Sequence, residues 1–513
     1  MQGLTIGMIE EATGGMLHLS FQNEDGSFVD LDRTNLSMAD ARGMEAYERT
    51  LKTEVSSIVT DSRKAQEGSV FGAIAGARSD GHDYIPSVFR QGAVCALSER
   101  LLDKKAVFGE DTAFAGVRAW ILVENTIAAL GAIAKCYLDL LRIPVVGITG
   151  SVGKTSTKEM IASVLSVRFR TKKTEGNFNN ELGLPLTVFG LEKEDEIAVL
   201  EMGVSHFGDM TTLAKIARPG RMVITNIGTC HLEFLKDREG VFRAKTEVFD
   251  YMRPGSSVFL NGNDDLLRRV SEAAGSAPVF FGVDSTLEGV SDLSAGSMIA
   301  YPADLPAKRC VRVTSVKGLG FEGSACTIET PEGTFTARIP VPGIHNCSNA
   351  AAATAVGLSF GMTLEEIRKG IESAQTISGR FRIRKTEDKT VIDDCYNANP
   401  VSMKSSLMVL SQAQGRRCAV LGDMGELGEE EILLHEKTGA FAAACVDHLI
   451  TIGPLSRAMY EAARKAAPSL SVSWYESVEA FLEHAGEEIR AGDTVLVKAS
   501  HFMQFDRIVE ALT

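Results

Sequence analysis

The chain reads as an α/β protein of about three domains, a small α/β or mixed one followed by two with open, mostly parallel sheets. Three observations carry this expectation. A length of 513 residues exceeds what one hydrophobic core holds. Apolar runs of strand length alternate with helical stretches over most of the chain. One such run, VVGIT, opens into a glycine-rich turn and then helix-forming residues, Val145 to Met160. A hydrophobic content of 44% and a charged content of 23% belong to a folded enzyme rather than a disordered or fibrous chain. The formal net charge of -14 argues against broad binding to nucleic acid or an anionic membrane, so an anionic ligand must be met by local lysines, arginines and helix ends.

The elements follow in order. Residues 1–140 form the first expected domain. His18 to Glu54 is polar there and is expected to be irregular, and VTDSRKAQEGSVFGAIAGARSDGHDYI then alternates short apolar runs with Asp, Ser and Gly in the manner of ligand loops. Residues 141–378 carry the strand-like runs VVGIT, EIAVLEMG, RMVITNIG and SSVFLNGN separated by helical stretches, with a β-rich insertion expected over Pro278 to Pro340. Residues 379–513 resume the alternation with KTVIDDCYNA, RRCAVLGDMGE, DHLITIG, LSVSWYE and DTVLVKAS, each followed by a helical stretch. Nine cysteines lie between Cys95 and Cys445 without a CxxC pair, which points to buried small residues in a reducing compartment rather than zinc ligands or disulfides. MQGLTIGMIEEATGG has acids where a signal peptide has a basic start, and no apolar run reaches the ~18 residues of a membrane span. Thr126 to Gly150 comes nearest and is broken by Lys135, Asp139 and Arg142. A cytoplasmic protein is expected.

VVGITGSVGKTSTKEM has the layout of a phosphate cradle. Gly150 and Gly153 lack the Cβ that keeps backbone N–H groups from an anion, and the following helix points its positive end at the same spot. Lys154 can reach β- and γ-phosphates, and the Thr155 hydroxyl can ligate Mg²⁺. Ile148 stands where GxxxxGK[ST] has its first glycine, and Gly147 lies one residue too early, so an ordinary glycine-rich turn between strand and helix is the alternative.

In an open α/β sheet, ligands lie beyond the carboxyl ends of the strands. Glu201 follows AVL and His231 follows VITNIGTC, either as site residues or as a cap and an ordinary histidine. Asp394 ends KTVIDD and Asp423 ends CAVLG, where an aspartate is often a helix cap or turn former. Lys245 lies on the helical stretch REGVFRAKTEVFD, where a lysine is usually a solvated cation. The asparagines of GNFNNELGLP and GIHNCSNAAAA suit sugar hydroxyls and purine edges or, equally, turns. Arg380 and Arg382 in SGRFRIR stand at a domain boundary, ready for a phosphate or simply part of an exposed basic linker.

Together these pieces resemble the Mur ligase family over nearly the whole chain. TGSVGKTS (Thr149 to Ser156), NFNNELGLPLT, EMG, NIGTCHLE, RAKTEVF, GIHNCSNAAAA, GRF, DDCYNANPVSM and LGDMGELG occur in the family's order, with TDSR and DGH in the first domain. The departure at Ile148 is itself part of the family pattern. The resemblance implies an N-terminal domain for the UDP end of a nucleotide-sugar peptide, a central P-loop ATPase domain and a C-terminal Rossmann-like domain that closes over the site. It implies ATP-dependent joining of D-alanyl-D-alanine to UDP-N-acetylmuramoyl-tripeptide through an acyl phosphate, in a cytoplasmic monomer without nucleic-acid partners.

The resemblance also assigns residues. Gly150, Ser151, Gly153, Lys154, Thr155 and Ser156 would hold ATP phosphates, Asn346 and Asn349 would lie near adenine and ribose, and Arg380 and Asp394 would contact phosphates and ribose. Thr155 and Glu201 would ligate one Mg²⁺ and His231 a second, with Lys245 carbamylated beside them. Ser62, Arg63, Asp80, His82, Asn179, Asn180, Asn397 and Asn399 would serve the other substrates. Two departures stand in VLVKASHFMQFDRIV, where Ala499 and His501 replace a usual glycine and arginine. Other ligases of the superfamily are the nearest rivals, and NFNNELGLP and DDCYNANPVSM favour the D-alanyl-D-alanine-adding branch. A nucleotide switch or motor is disfavoured by the lack of NKxD and of a plain aspartate after a strand beyond the loop.

Overall fold

A computed structural model of the chain describes residues 1–22, 27–109, 116–284, 287, 301, 309–343, 345–375 and 379–513. The chain divides into two compact units, one comprising 1–145, 172–202 and 211–218, the other 146–171, 203–210 and 219–513. The first contains a six-stranded sheet, β1 Met16–Gln22, β2 Phe28–Leu31, β3 Ser57–Val59, β4 Ser69–Gly72, β5 Cys95–Ser98 and β6 Arg118–Leu122, in the order β2-β1-β6-β5-β4-β3. β3 to β6 run parallel, whereas β1 is antiparallel to both β2 and β6.

The expectation of an irregular stretch over His18 to Glu54 is corrected here: its described residues form β1, β2 and the helix Ala41–Leu51. Polarity misled because this stretch buries its polar groups against one another. His18 is buried and stacks on Trp120 with ring centroids 4.0 Å apart and planes 9° from parallel. Its Nδ1 lies 2.8 Å from Asp30 Oδ2. The Ser20 hydroxyl donates to Asp30 Oδ1 at 2.8 Å and accepts from Trp120 Nε1 at 3.0 Å. The helix is started by Asp40, whose carboxylate accepts from Gly43 N at 2.7 Å.

The first unit also holds most of β8 Thr171–Lys173 and all of β9 Ile197–Glu201, which are neighbours. In the second unit, seven strands are neighbours in the order β15-β14-β13-β12-β11-β10-β7. These are β7 Val145–Thr149, β10 Arg221–Ile224, β11 Ser257–Asn261, β12 Val279–Val283, β13 Cys310–Gly318, β14 Ser324–Thr330 and β15 Gly333–Ile339. β7 and β10 to β13 are parallel, and β14 and β15 fold back as an antiparallel meander. The β-rich segment expected over Pro278 to Pro340 therefore extends this sheet, although much of 285–308 lies outside the described residues.

The third sheet follows the order β16-β17-β21-β18-β19-β20. Its strands are β16 Arg382–Lys385, β17 Thr390–Asp393, β18 Arg417–Gly422, β19 His448–Ile452, β20 Ser471–Tyr475 and β21 Thr494–Lys498, all parallel except β16. β18, β19 and β21 are buried along their whole length but for Arg417, as continuous apolar runs between helices require. Among the described residues no helix is long and apolar enough to cross a membrane, and none of the nine cysteines forms a disulfide.

Trp120 is fully buried in the first unit and carries both the stack and the hydrogen bond that order β1. Trp120→Ala should cost about 3–5 kcal/mol of that unit's stability. Urea unfolding followed by far-UV circular dichroism checks this, and an unchanged midpoint would refute it.

Candidate active site

β7 ends at Thr149, and the helix Lys154–Leu165 begins four residues after Gly150. Gly150 and Gly153 have φ of 151° and 83°, and a Cβ on Gly150 would collide with the Thr225 hydroxyl, so glycine is required where the chain leaves the strand. The loop is fixed from the segment leaving β10. The Thr225 hydroxyl donates to Val152 O at 2.6 Å, Asn226 Oδ1 accepts from Val152 N at 3.0 Å, and Asn226 O accepts from Ser151 N at 3.1 Å. Ser151 Oγ accepts from Gly228 N at 2.8 Å. The Lys154 ammonium folds back to donate to Gly150 O at 2.9 Å, which places its charge over the cradle.

This loop lines a cavity of about 250 Å³ together with Asn349, Arg380, Asp394, Asn397 and Lys498. Asn346 and Asn349 are both buried on the helix His345–Ser359 and form an amide chain. Asn346 Nδ2 donates to Pro342 O at 2.7 Å, Asn349 Nδ2 donates to Asn346 Oδ1 at 2.9 Å, and Asn349 Oδ1 accepts from Thr157 Oγ1 at 2.9 Å. The chain ties that helix to the phosphate-loop helix.

Arg380 is no exposed linker residue. Its guanidinium lies 4.0 Å over the Tyr396 ring and donates to Thr155 Oγ1 at 3.3 Å, and its buried Nε has no hydrogen-bond partner among the described residues. Such a donor suits an anionic ligand oxygen. Arg382, by contrast, is exposed on β16. Asp394 is buried, accepting from Ser406 Oγ and Lys498 Nζ, each at 2.6 Å, and from Phe381 N at 3.1 Å. Asn397 O accepts from Lys498 at 3.1 Å. Asn399 lines the cavity too and caps the helix Pro400–Leu410, accepting from Ser402 N at 2.9 Å.

Lys245, on the helix Arg238–Thr246, is 1% exposed, which excludes a solvated role. Burial pushes its amine down to about 8, opposed by Cys230 and aided by the Lys154 cation. His231 adopts φ 52° after β10, with Nδ1 2.6 Å from Glu426 Oε2, and holds that carboxyl below its usual range. Among the described residues, no group of three His, Cys, Asp or Glu side chains is arranged to hold a metal ion.

Within the first unit, Glu201 ends β9 buried, accepting from Asn179 Nδ2 at 2.9 Å, and Asn180 Oδ1 accepts from Gly183 N at 2.7 Å to start a helix. Ser62 opens a short turn in which the exposed Arg63 pairs with Asp61 at 2.8 Å. Both ring nitrogens of His82 are engaged, Nδ1 with Asp80 of its own loop at 2.6 Å and Nε2 accepting from Glu99 N, just past β5, at 3.1 Å. His82 therefore shapes the loop that presents Asp80.

Sequence reasoning passed over Lys498, Tyr396 and Glu426. A cation closing the apolar run DTVLV was the available signal for Lys498, whereas nothing local marks the other two. Asp423 is buried and does not cap the helix after its own strand; it accepts from Ser456 N at 2.7 Å and Ser456 Oγ at 2.6 Å, at the start of the helix Ser456–Ala466.

Three family models match the chain: the Mur ligase family catalytic domain over residues 54–137, the Mur ligase middle domain over 148–357 and the Mur ligase glutamate ligase domain over 379–501. The chain belongs to the Mur ligase family. A Mur ligase of Bacillus subtilis, UDP-N-acetylmuramoyl-tripeptide--D-alanyl-D-alanine ligase, is 34% identical over 94% of this chain and 98% of its own. A crystal structure of MurF from Acinetobacter baumannii superposes with a TM-score of 0.79 at 29% identity, covering 99% of this chain and 98% of that one. MurF from Thermotoga maritima, solved in complex with ADP, gives 0.73 at 28% identity over 90% and 97%.

The lowered Lys245 value has a consequence for stability. Its folded value of about 8 lies below the ordinary 10.5, so the unfolded chain binds more protons between them, and stability rises across that window as the burial penalty is relieved. In carbon-dioxide-free buffer Lys245→Met should lack this rise. Urea midpoints compared across the window decide it, and equal slopes in both proteins would rule the amine out as the source.

Proposed function

We propose that this chain is an ATP-dependent ligase that joins D-alanyl-D-alanine to UDP-N-acetylmuramoyl-tripeptide, giving the pentapeptide precursor of peptidoglycan. One observation carries the reading: the phosphate loop, Arg380 and the Asp394–Lys498 pair line a single cavity. The names and coverage of the relatives support the choice of substrates.

A carboxylate is a poor electrophile until one oxygen becomes a leaving group. The terminal carboxylate of the tripeptide attacks the γ-phosphate of ATP, giving an acyl phosphate and ADP. The amine of D-alanyl-D-alanine then attacks the acyl carbon, and phosphate leaves from a tetrahedral intermediate. Charge builds on transferring oxygens in both steps, so fixed cations and amides do most of the work. Gly150, Ser151, Gly153 and Ser156 contribute the cradle, and Lys154 and Arg380 the positive charge. Asn346 and Asn349 face the adenine and ribose side, with Asp394.

Mg²⁺, when bound, would offset phosphate charge, with Thr155 and Glu201 proposed for one ion and His231 and Lys245 for a second. Lys245 would join this set as a carbamate: an amine brought down to about 8 is neutral often enough to attack carbon dioxide, forming an N–C bond and releasing a proton. A buried cation becomes a carboxylate-like group. We assign Ser62, Arg63, Asp80 and His82 to the UDP-linked substrate and Asn179, Asn180, Asn397 and Asn399 to the peptide substrates. The domains are placed at 1–140, 141–378 and 379–513, in a monomeric cytoplasmic enzyme.

Phosphate release should require both UDP-tripeptide and D-alanyl-D-alanine, measured by a coupled phosphate assay; ATP hydrolysis independent of both would overturn the reading. Lys245→Ala should lose most activity and regain part of it with a short-chain carboxylic acid. Full activity without the additive would exclude the metal-site role.

A further inference from the structure

Arg380 reaches the phosphate loop only because the backbone around it is turned away from an ordinary strand entry. Gly379 and Phe381 flank it with φ of 72° and 55°, both in the left-handed region. Three hydrogen bonds from one short segment hold this turn. Gly379 N donates to Asp393 Oδ2 at 3.2 Å, Phe381 N donates to Asp394 Oδ1 at 3.1 Å, and Tyr396 N donates to Gly379 O at 3.1 Å. A Cβ on Gly379 would come within 3.2 Å of Tyr396 Cβ, so the two backbones are in close contact.

The Tyr396 side chain completes the arrangement. Its ring centroid lies 4.0 Å from the guanidinium carbon, the distance of a close cation–π contact, while Arg380 Nη2 donates to Thr155 Oγ1 at 3.3 Å. The exposed His501 ring stands 5.7 Å from the Tyr396 ring at 34°, a tilted contact. Arg380 thus bridges the Tyr396 ring and the phosphate-loop helix, and its Nε donor has no hydrogen-bond partner among the described residues.

We propose that Tyr396 is a positioning residue that holds the Arg380 guanidinium flat against the phosphate loop for the nucleotide phosphates, with His501 backing the ring. The proposal rests on the assignment of Arg380 to ATP given above. It gives a role to Tyr396 and to the histidine at 501, whose imidazole makes a tilted contact with the phenol ring at the solvent edge. The aromatic face acts on the arginine and never on the substrate, so its loss should weaken nucleotide binding while leaving the other substrates untouched.

The test is a double-mutant cycle on the full chain, with ATP binding measured by calorimetry and KM determined for all three substrates. Tyr396→Leu should weaken ATP binding and raise its KM by about tenfold, between the sizes of an exposed and a fully desolvated cation–π contact. Tyr396→Phe should restore both to within about twofold, because the ring face is kept. KM for UDP-tripeptide and D-alanyl-D-alanine should not move. His501→Ala should shift ATP binding in the same direction by less than Tyr396→Leu does. In an Arg380→Ala background, Tyr396→Leu should add nothing, since the residue it positions is gone. An additive effect there, or a rise in all three KM values, would overturn the proposal. If Arg380→Ala alone binds ATP like the unaltered protein, the assignment of Arg380 fails instead. Circular dichroism and melting temperatures of each variant establish that the fold is retained, and Tyr396→Phe supplies the comparison should Tyr396→Leu unfold.

Discussion

The hydrogen bonds from Thr225 and Asn226 to the backbone of Val152 are the constraint on which the site depends. A phosphate loop is useful only if its N–H groups already converge before the anion arrives, and a free glycine-rich turn does not hold such a shape. Here the segment leaving β10 grips the loop on both its amide and its carbonyl, and β10 is itself paired in parallel with β7, in register from Val146 to Thr149. The sheet therefore sets the loop. The helix that follows is held in turn by Thr157 against Asn349, so the amides, the helix end and the asparagine pair are tied together by hydrogen bonds.

Buried charge is handled by two different means within the same unit. Lys498 is matched by a carboxylate and two carbonyls, so its ammonium stays satisfied at the end of a fully buried strand. Lys245 is buried to the same degree, yet burial brings its amine down toward neutrality. A matched lysine is a fixed part of the frame, whereas one left near neutrality is chemically available. The contrast separates a lysine held as a strut from one whose amine burial brings toward neutrality.

Much of this was legible in the sequence, and the failures have physical causes. Strand runs such as VVGIT and DTVLVK announced themselves because a strand buried on both faces is apolar throughout. The phosphate loop was legible because glycine spacing and the lysine that follows are local requirements. His18 to Glu54 was misjudged because its polar residues satisfy one another across strands, His18 with Asp30 and Ser20 with Trp120, and such pairing has no local signature. Lys245 and Arg380 could be named as candidates, but whether either faces solvent depends on packing partners tens to hundreds of residues away. Tyr396 and Glu426 were invisible for the same reason.

Gly150 has a consequence for how this enzyme can change over evolutionary time. Thr225 occupies the space where any side chain at that position would stand, and Thr225 is itself committed to Val152. No side chain can be added at Gly150 without Thr225 moving, so a single-codon change at the mouth of β7 disturbs the cradle it belongs to. A small molecule that binds through the main chain of residues 150–153 would press on a surface with few routes of mutational escape.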